Sequence, residues 1–290
     1  MIKNFTIYGE RCSGTNFLEA IFAGKSFFHD NSKKYIKDFY PQDEAAFNIP
    51  LSTEFGHKHF FGFNDKEIIQ NGDETLFIGI VRNSYDWFES LFNKRHHIPY
   101  DNWKPNNFLF NEWSVDENTL DQEISDDNFI TGNSYKNIFE LRKTKLEYLH
   151  NRMPEIAKNY ILIRYEDLCS KQSQVINEIS KRFDLDIINQ NYVQPKTTPS
   201  YNLLQEYKED ITLNIDWDVE RLVGYNPKFN SHDQTIMMGY DFNSPNMAYD
   251  ITSPTMHIEP KPIKVDQITN MEEFYKHNTL DPNFDHKLYT

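Results

Sequence analysis

Ile7-Tyr8-Gly9-Glu10-Arg11-Cys12-Ser13-Gly14-Thr15-Asn16-Phe17-Leu18 decides the fold. An apolar strand runs into two glycines, and a helix of apolar period follows. Gly9 and Gly14 have the spacing of a phosphate-binding loop, G-x-x-x-x-G, which is normally followed by Lys and then Ser or Thr. Thr15 and Asn16 occupy those two positions. A nucleoside-triphosphate site would lack its phosphate-gripping lysine, so the loop is expected to hold a different anion. Backbone N–H groups of residues 11–16, at a helix N-terminus, supply the cradle for it.

Outward from this stretch, the pattern alternates strands and helices. Residues 2–8 read as a first strand and 16–23 as a helix, with Gly24 as its stop. A second strand is expected at 54–61. Asn64 with Glu67 resembles a helix-starting box, and Gly72 closes that short helix. Thr75–Val81 is a continuous apolar run, as in a strand covered on both faces. Arg82 ends it, and Ser84 is positioned to cap a helix over about 85–95. A helix is expected at 134–152, with Ile138, Leu141, Lys145 and Leu149 on related faces and Pro154 just past its end. Tyr160–Tyr165 reads as another buried strand, 173–184 as an amphipathic helix, and Asp216–Val223 as a last helix stopped at Gly224. Residues 25–52 and 96–132 lack a sustained period and read as long connections.

This alternation, opened by a glycine turn, predicts an α/β fold with a mainly parallel central sheet over residues 1–225. Residues 226–290 hold six of the 13 prolines and no long period, so an irregular C-terminal extension is expected there, with a short helix at 270–277. At 290 residues the chain is long enough for one sizeable core plus such an appendage.

Composition narrows the function classes. The formal net charge of −14 argues against a general binder of nucleic acid or anionic membrane, while leaving room for a local basic pocket. Aromatic residues reach 15%, which suits stacking on bases or sugars and equally suits a Phe-based core. Cys12 and Cys169 are the only cysteines, one in the glycine loop and one after a strand, so no disulfide framework is expected. The N-terminus enters a strand directly, and no stretch approaches the roughly 20 apolar residues of a membrane span. A soluble, cytoplasmic location is the expectation.

The second chemistry-bearing stretch is VRNSYDWFES. Arg82 stands at the carboxyl end of a strand and Ser90 lies one turn or more into the next helix, where its hydroxyl can point back. Cation plus hydroxyl makes a clamp for a second phosphate; taken alone, a strand-end arginine is more often a surface ion pair. His59, with His57 as the alternative, is the candidate base, because a histidine titrates near neutral pH. Either could instead be structural. His96 and His97 could simply complement a helix C-terminus. These four histidines match no tight metal-site spacing. Cys12 is more naturally a small loop residue than a nucleophile.

Four ordered segments, GERCSGTNFLEAIF (9–22), GHKHFF (56–61), LFIGIVRNSYDWFESLF (76–92) and YILIRYEDL (160–168), together resemble the sulfotransferases. The resemblance spans roughly residues 5–225. It implies a three-layer P-loop-type fold and 3′-phosphoadenosine 5′-phosphosulfate as donor co-substrate. It implies that Arg11, Cys12, Ser13, Gly14, Thr15 and Asn16 bind the phosphosulfate end. Arg82 and Ser90 would take the 3′-phosphate, and Tyr165 would lie near the adenine. His59 matches the family's catalytic histidine best. Many members carry lysine where this chain has Cys12, and Arg11 or Lys58 is then expected to supply the missing positive charge.

In-line sulfuryl transfer spreads negative charge over the equatorial and leaving oxygens. Fixed donors there could each contribute on the order of 3 kcal/mol. The scheme requires no metal. Its acceptor is expected to be a hydroxyl on a carbohydrate or small metabolite, with no nucleic-acid or membrane partner; the acceptor's identity and the oligomeric state are not readable. Two other readings stand beside it: a sulfotransferase-like module that binds nucleotide or glycan without chemistry, and a nucleotide kinase, against which Thr15 and Asn16 argue.

Overall fold

The computed structural model of the chain describes residues 1–23, 45–52, 54–56, 58–94, 98, 100–113, 126–190, 192–195 and 204–227. Three strands form its sheet: β1 (Asn4–Gly9), β2 (Thr75–Val81) and β3 (Tyr160–Arg164). Their order is β1-β2-β3, both pairings are parallel, and the register aligns Tyr8 with Gly79 and Gly79 with Leu162. The connections are helical, as parallel pairing demands. They comprise α1 (Thr15–Ala23), α2 (Asp65–Asn71), α3 (Ser84–Asn93), α4 (Pro105–Phe110), α5 (Ile138–Glu147) and α6 (Met153–Ile156). After β3 come α7 (Tyr165–Ser170), α8 (Gln172–Phe183), α9 (Lys208–Asn214) and α10 (Trp217–Leu222).

Strand residues alternate between two apolar clusters, because successive side chains leave opposite faces of a sheet. Ile7, Ile78, Ile80, Ile161 and Ile163 pack with α1 and α8 through Leu18, Ile21, Val175 and Ile179. On the other face, Tyr8, Phe77, Val81 and Leu162 pack with Ile68, Leu146, Leu149 and Val219. Every residue of β2 is buried, which accounts for its unbroken apolar run. Each fully buried side chain of this size stabilises the fold by about 1.5–3 kcal/mol. A third cluster is built from α3, α4, α5 and α9 around Trp87, Phe88, Phe108, Trp113 and Ile211.

Several expectations need correction. Among the described residues of 54–61 there is no strand: Gly56 and Gly62 take φ of +85° and +79°, turning the chain, and Phe55, Phe60 and Phe61 are all buried rather than alternating. The backbone beside β1 belongs instead to residues 50–52, through Phe5 N–H to the Pro50 carbonyl (3.0 Å) and Ser52 N–H to the Phe5 carbonyl (2.7 Å). The Asn64 side chain makes no cap at α2. Asn83, not Ser84, caps α3 by accepting from the Asp86 N–H. The long helix expected at 134–152 begins only at Ile138: α5 passes into a π-helical turn, Tyr148–Arg152, and on into α6, so Pro154 lies within the helical run, directly after the wide turn, rather than past its end. The connection 96–132 contains α4, whose six residues are too short to display a period. Apart from residues 226 and 227, the expected C-terminal extension lies outside the described residues. Among the described residues no helix is long and apolar enough to cross a membrane.

Candidate active site

The loop between β1 and α1 folds back onto the strand end. Ser13 N–H donates to the Glu10 carbonyl (3.1 Å), and a Cβ on Gly9 would stand 2.6 Å from Ser13 Oγ. Cys12 at φ +64° and Gly14 at φ +106° are both left-handed, a conformation that is costly for Cys12 and free for Gly14. Gly14 also admits no side chain, since its Cβ would fall 2.4 Å from the Tyr165 ring. The turn brings the N-terminus of α1, with its orphan N–H groups and positive dipole end, to the carboxyl end of β1.

Arg82 follows β2 and Tyr165 follows β3, so the three strands end together around the loop, where open parallel sheets bind ligands. Arg82 Nη1 donates to the Cys12 carbonyl at 3.3 Å, and its guanidinium lies 4.8 Å from the Tyr165 ring centroid. Arg82 Nε and Ser13 Oγ are buried without a hydrogen-bond partner. Ser90, buried one and a half turns into α3, reaches the Cys12 thiol. Burial pushes that thiol up, while Arg82 and the Ser90 hydrogen bond pull it down. Cys12 and Cys169 are both free, half-buried thiols.

The segment expected as a second strand reaches the same place by a different route. Gly9 N–H donates to the Lys58 carbonyl at 3.0 Å, which docks the turn on the end of β1. His59 is buried, and its Nδ1 lies 2.7 Å from the Gly9 carbonyl. A carbonyl only accepts, so Nδ1 is the donor of this bond, and the bond fixes the orientation of the ring. Lys58 Nζ donates to Asn16 Oδ1 and Glu19 Oε1, both at 2.6 Å, across the first turns of α1. Arg11 turns its side chain to Asp126, with Nε 3.5 Å from Oδ2, and stacks over Phe60. The expected residues therefore gather about one loop, with Arg11 directed into the interior. His57, His96 and His97 lie outside the described residues.

Sequence reasoning missed a buried ionic layer beneath the loop. Arg142, on α5, donates from Nη1 to Glu10 Oε2 (2.7 Å), from Nη2 to Glu220 Oε2 (2.9 Å), and from Nη2 to the Arg82 carbonyl (2.8 Å). One turn on, Lys145 Nζ donates to Asp126 Oδ1 (2.6 Å) and to the His59 carbonyl (3.0 Å). Burial pushes Glu10 up to about 7 against the pull of Arg142. Burial likewise pulls Lys145 down, with Asp126 opposing. The available signal was the placement of two cations three apart on a helix face otherwise expected to be apolar.

Chemically, the arrangement offers an N–H cradle, a cation beside an aromatic face, and an oriented imidazole within one loop's reach. Among the described residues no group of His, Cys, Asp and Glu is placed to hold a metal ion. Comparison of the chain with family models, with curated proteins and with solved structures finds no match.

Proposed function

We propose that the chain is a sulfotransferase on a three-layer P-loop-type fold, moving a sulfuryl group from 3′-phosphoadenosine 5′-phosphosulfate to a hydroxyl of a carbohydrate or small metabolite. The observation that carries this reading is Arg82, bonded to the loop at Cys12 and stacked on Tyr165, at the mouth of a cradle that lacks the kinase lysine. The orphaned Ser13 Oγ and Arg82 Nε fit an anionic oxygen. In this reading the loop N–H groups hold the phosphosulfate end. Arg82 and Ser90 take the 3′-phosphate, and Tyr165 flanks the base. His59 Nε2 accepts the acceptor's hydroxyl proton as the new O–S bond forms and the bond to the leaving phosphate oxygen breaks. Lys58 is the better placed of the two cations for the leaving charge: although it is paired with Glu19, its Nζ lies across the first turns of α1, whereas the Arg11 side chain turns into the interior toward Asp126.

Calorimetric titration with 3′,5′-bisphosphoadenosine and transfer of labelled sulfate to a panel of glycans and small alcohols test it. Arg82→Ala is expected to weaken binding roughly 10- to 100-fold, the loss of a charge-assisted bond. His59→Ala is expected to leave binding intact and lower turnover by about 10²–10⁴-fold. No binding by wild type at micromolar protein would sink the assignment, and full turnover by His59→Ala would remove the base.

One observation favours a second reading, a binding module without chemistry: each candidate cation already has a carboxylate, Asp126 for Arg11 and Glu19 for Lys58. Tight binding of the bisphosphate with no transfer to any acceptor would establish it.

A further inference from the structure

Residues 10, 11 and 12 of the loop each make a contact that leads, directly or through one further group, to the same side chain. Glu10 is held by its carboxylate, which accepts from Arg142 Nη1 at 2.7 Å. Arg11 is held by its carbonyl, which accepts from Trp87 Nε1 at 2.7 Å, and the Trp87 ring lies 4.8 Å beneath the Arg142 guanidinium. Cys12 is held by its carbonyl, which accepts from Arg82 Nη1 at 3.3 Å, and the Arg82 carbonyl in turn accepts from Arg142 Nη2 at 2.8 Å. Glu220, on α10, takes Nε and Nη2 together and so sets the plane of the guanidinium. The left-handed backbone at Cys12 is a strained geometry that persists only where its surroundings over-determine it.

We infer that Arg142 is the positioning residue of the candidate site: it holds the glycine loop and the Arg82 strand end in one fixed relation. Its side chain is buried, so it touches no ligand and acts through Glu10, Trp87 and Arg82. The planar fork matters here, because it serves acceptors on β1's loop, on β2's end and on α10 at once. A lysine keeps the charge but lacks that fixed fan of donors. The inference deepens the reading of the loop as a donor cradle and rests on it for its functional meaning.

The two thiols of the full chain provide a test that needs no ligand. Cys12 reports the loop, and Cys169, on α7 and hydrogen-bonded to Tyr165, reports the end of β3. Each is followed by N-ethylmaleimide labelling and peptide mass analysis in wild type, Arg142→Met, Arg142→Lys and Glu10→Gln. Arg142→Met strands two buried carboxylates, and where it does not fold the two milder variants carry the test. Cys12 labelling is expected to accelerate by at least about tenfold through local opening, with Cys169 changed less than about twofold. Equal acceleration at both thiols, or none at Cys12, overturns the inference. In the same variants, binding of 3′,5′-bisphosphoadenosine is expected to weaken about tenfold or more. Absence of that binding in wild type, with the thiol split intact, removes the donor reading and leaves the positioning role standing.

Discussion

Glu10 stands one residue past β1, wholly buried, with one carboxylate oxygen on Arg142 and the other unpartnered. Burial is the largest influence on it and raises it from 4.5 to about 7; Arg142 opposes, Glu220 adds, Lys145 opposes and Asp126 adds. The folded chain therefore keeps this proton to a higher pH than the unfolded chain does. Folding takes up a proton between about 4.5 and 7, so the group's stabilising contribution is full below that window and lost as pH rises through about 7. A glutamine at this position has no such proton. Urea unfolding of wild type and Glu10→Gln from pH 4.5 to 8 is expected to show the difference moving in the variant's favour as pH rises, by on the order of 2–3 kcal/mol. Parallel profiles would show that Glu10 titrates alike in both states. Either way the experiment concerns a residue placed by the loop's turn and by nothing local to its own chemistry.

On α5, Arg142 and Lys145 put two buried cations on one face, and the helix acts as a back-plate for the site. Lys145 joins Asp126 and the His59 carbonyl, and its ammonium lies over the Phe61 ring at 5.4 Å. Removing one member of a buried pair leaves the other charge uncompensated, so Lys145→Met is expected to cost about 3–5 kcal/mol. Removing both charges relieves that penalty, so Lys145→Met with Asp126→Asn is expected to fall at least about 1 kcal/mol short of the sum of the single changes. Denaturant midpoints of the four proteins check this; strict additivity would mean the pair is not coupled. Lys145 was visible in the sequence as a member of α5's inward face, but its partners were not, because Asp126 and His59 lie 19 and 86 residues away. The same distinction separates what was legible elsewhere. β2, β3, α1 and α8 announced themselves by buried runs or helical period, α3 by a capping residue and Arg82 by standing at a strand end, whereas Tyr165 was marked only by the family resemblance. Residues 54–61 looked like a strand because their aromatic residues are β-formers, yet two left-handed glycines turn them. His59 still reaches Gly9, so its place near the loop survives the loss of the strand that was expected to carry it. Asn83 as the cap of α3 and the π-helical turn after α5 depend on which hydrogen bonds win, and neighbouring residues offered equal candidates.

Across the whole molecule, the elements that hold the site differ in how firmly they are held themselves. β2 is the middle strand of the described sheet, and it is buried on both faces. The glycine loop and Arg82 hang from the ends of β1 and β2, so they sit on the most enclosed part of the fold. The third apolar cluster lies beyond Cys12 and carries α4, six residues long with Phe110 39% exposed at its end. A helix of that length has no stability of its own and depends on packing alone. Hydrogen exchange of the native protein is therefore expected to show the Phe77–Val81 amides opening only with global unfolding. The Phe108–Asn111 amides should open locally, with protection lower by about 100-fold or more. The contrast bears on the proposed sulfotransferase reading, in which one donor serves acceptors that vary: a firm cradle beside β2 and a more labile aromatic cluster suit a fixed donor and an adaptable acceptor side. Equal protection in the two segments would show one cooperative unit, and acceptor choice in the proposed reading would then have to rest on side chains rather than on local opening.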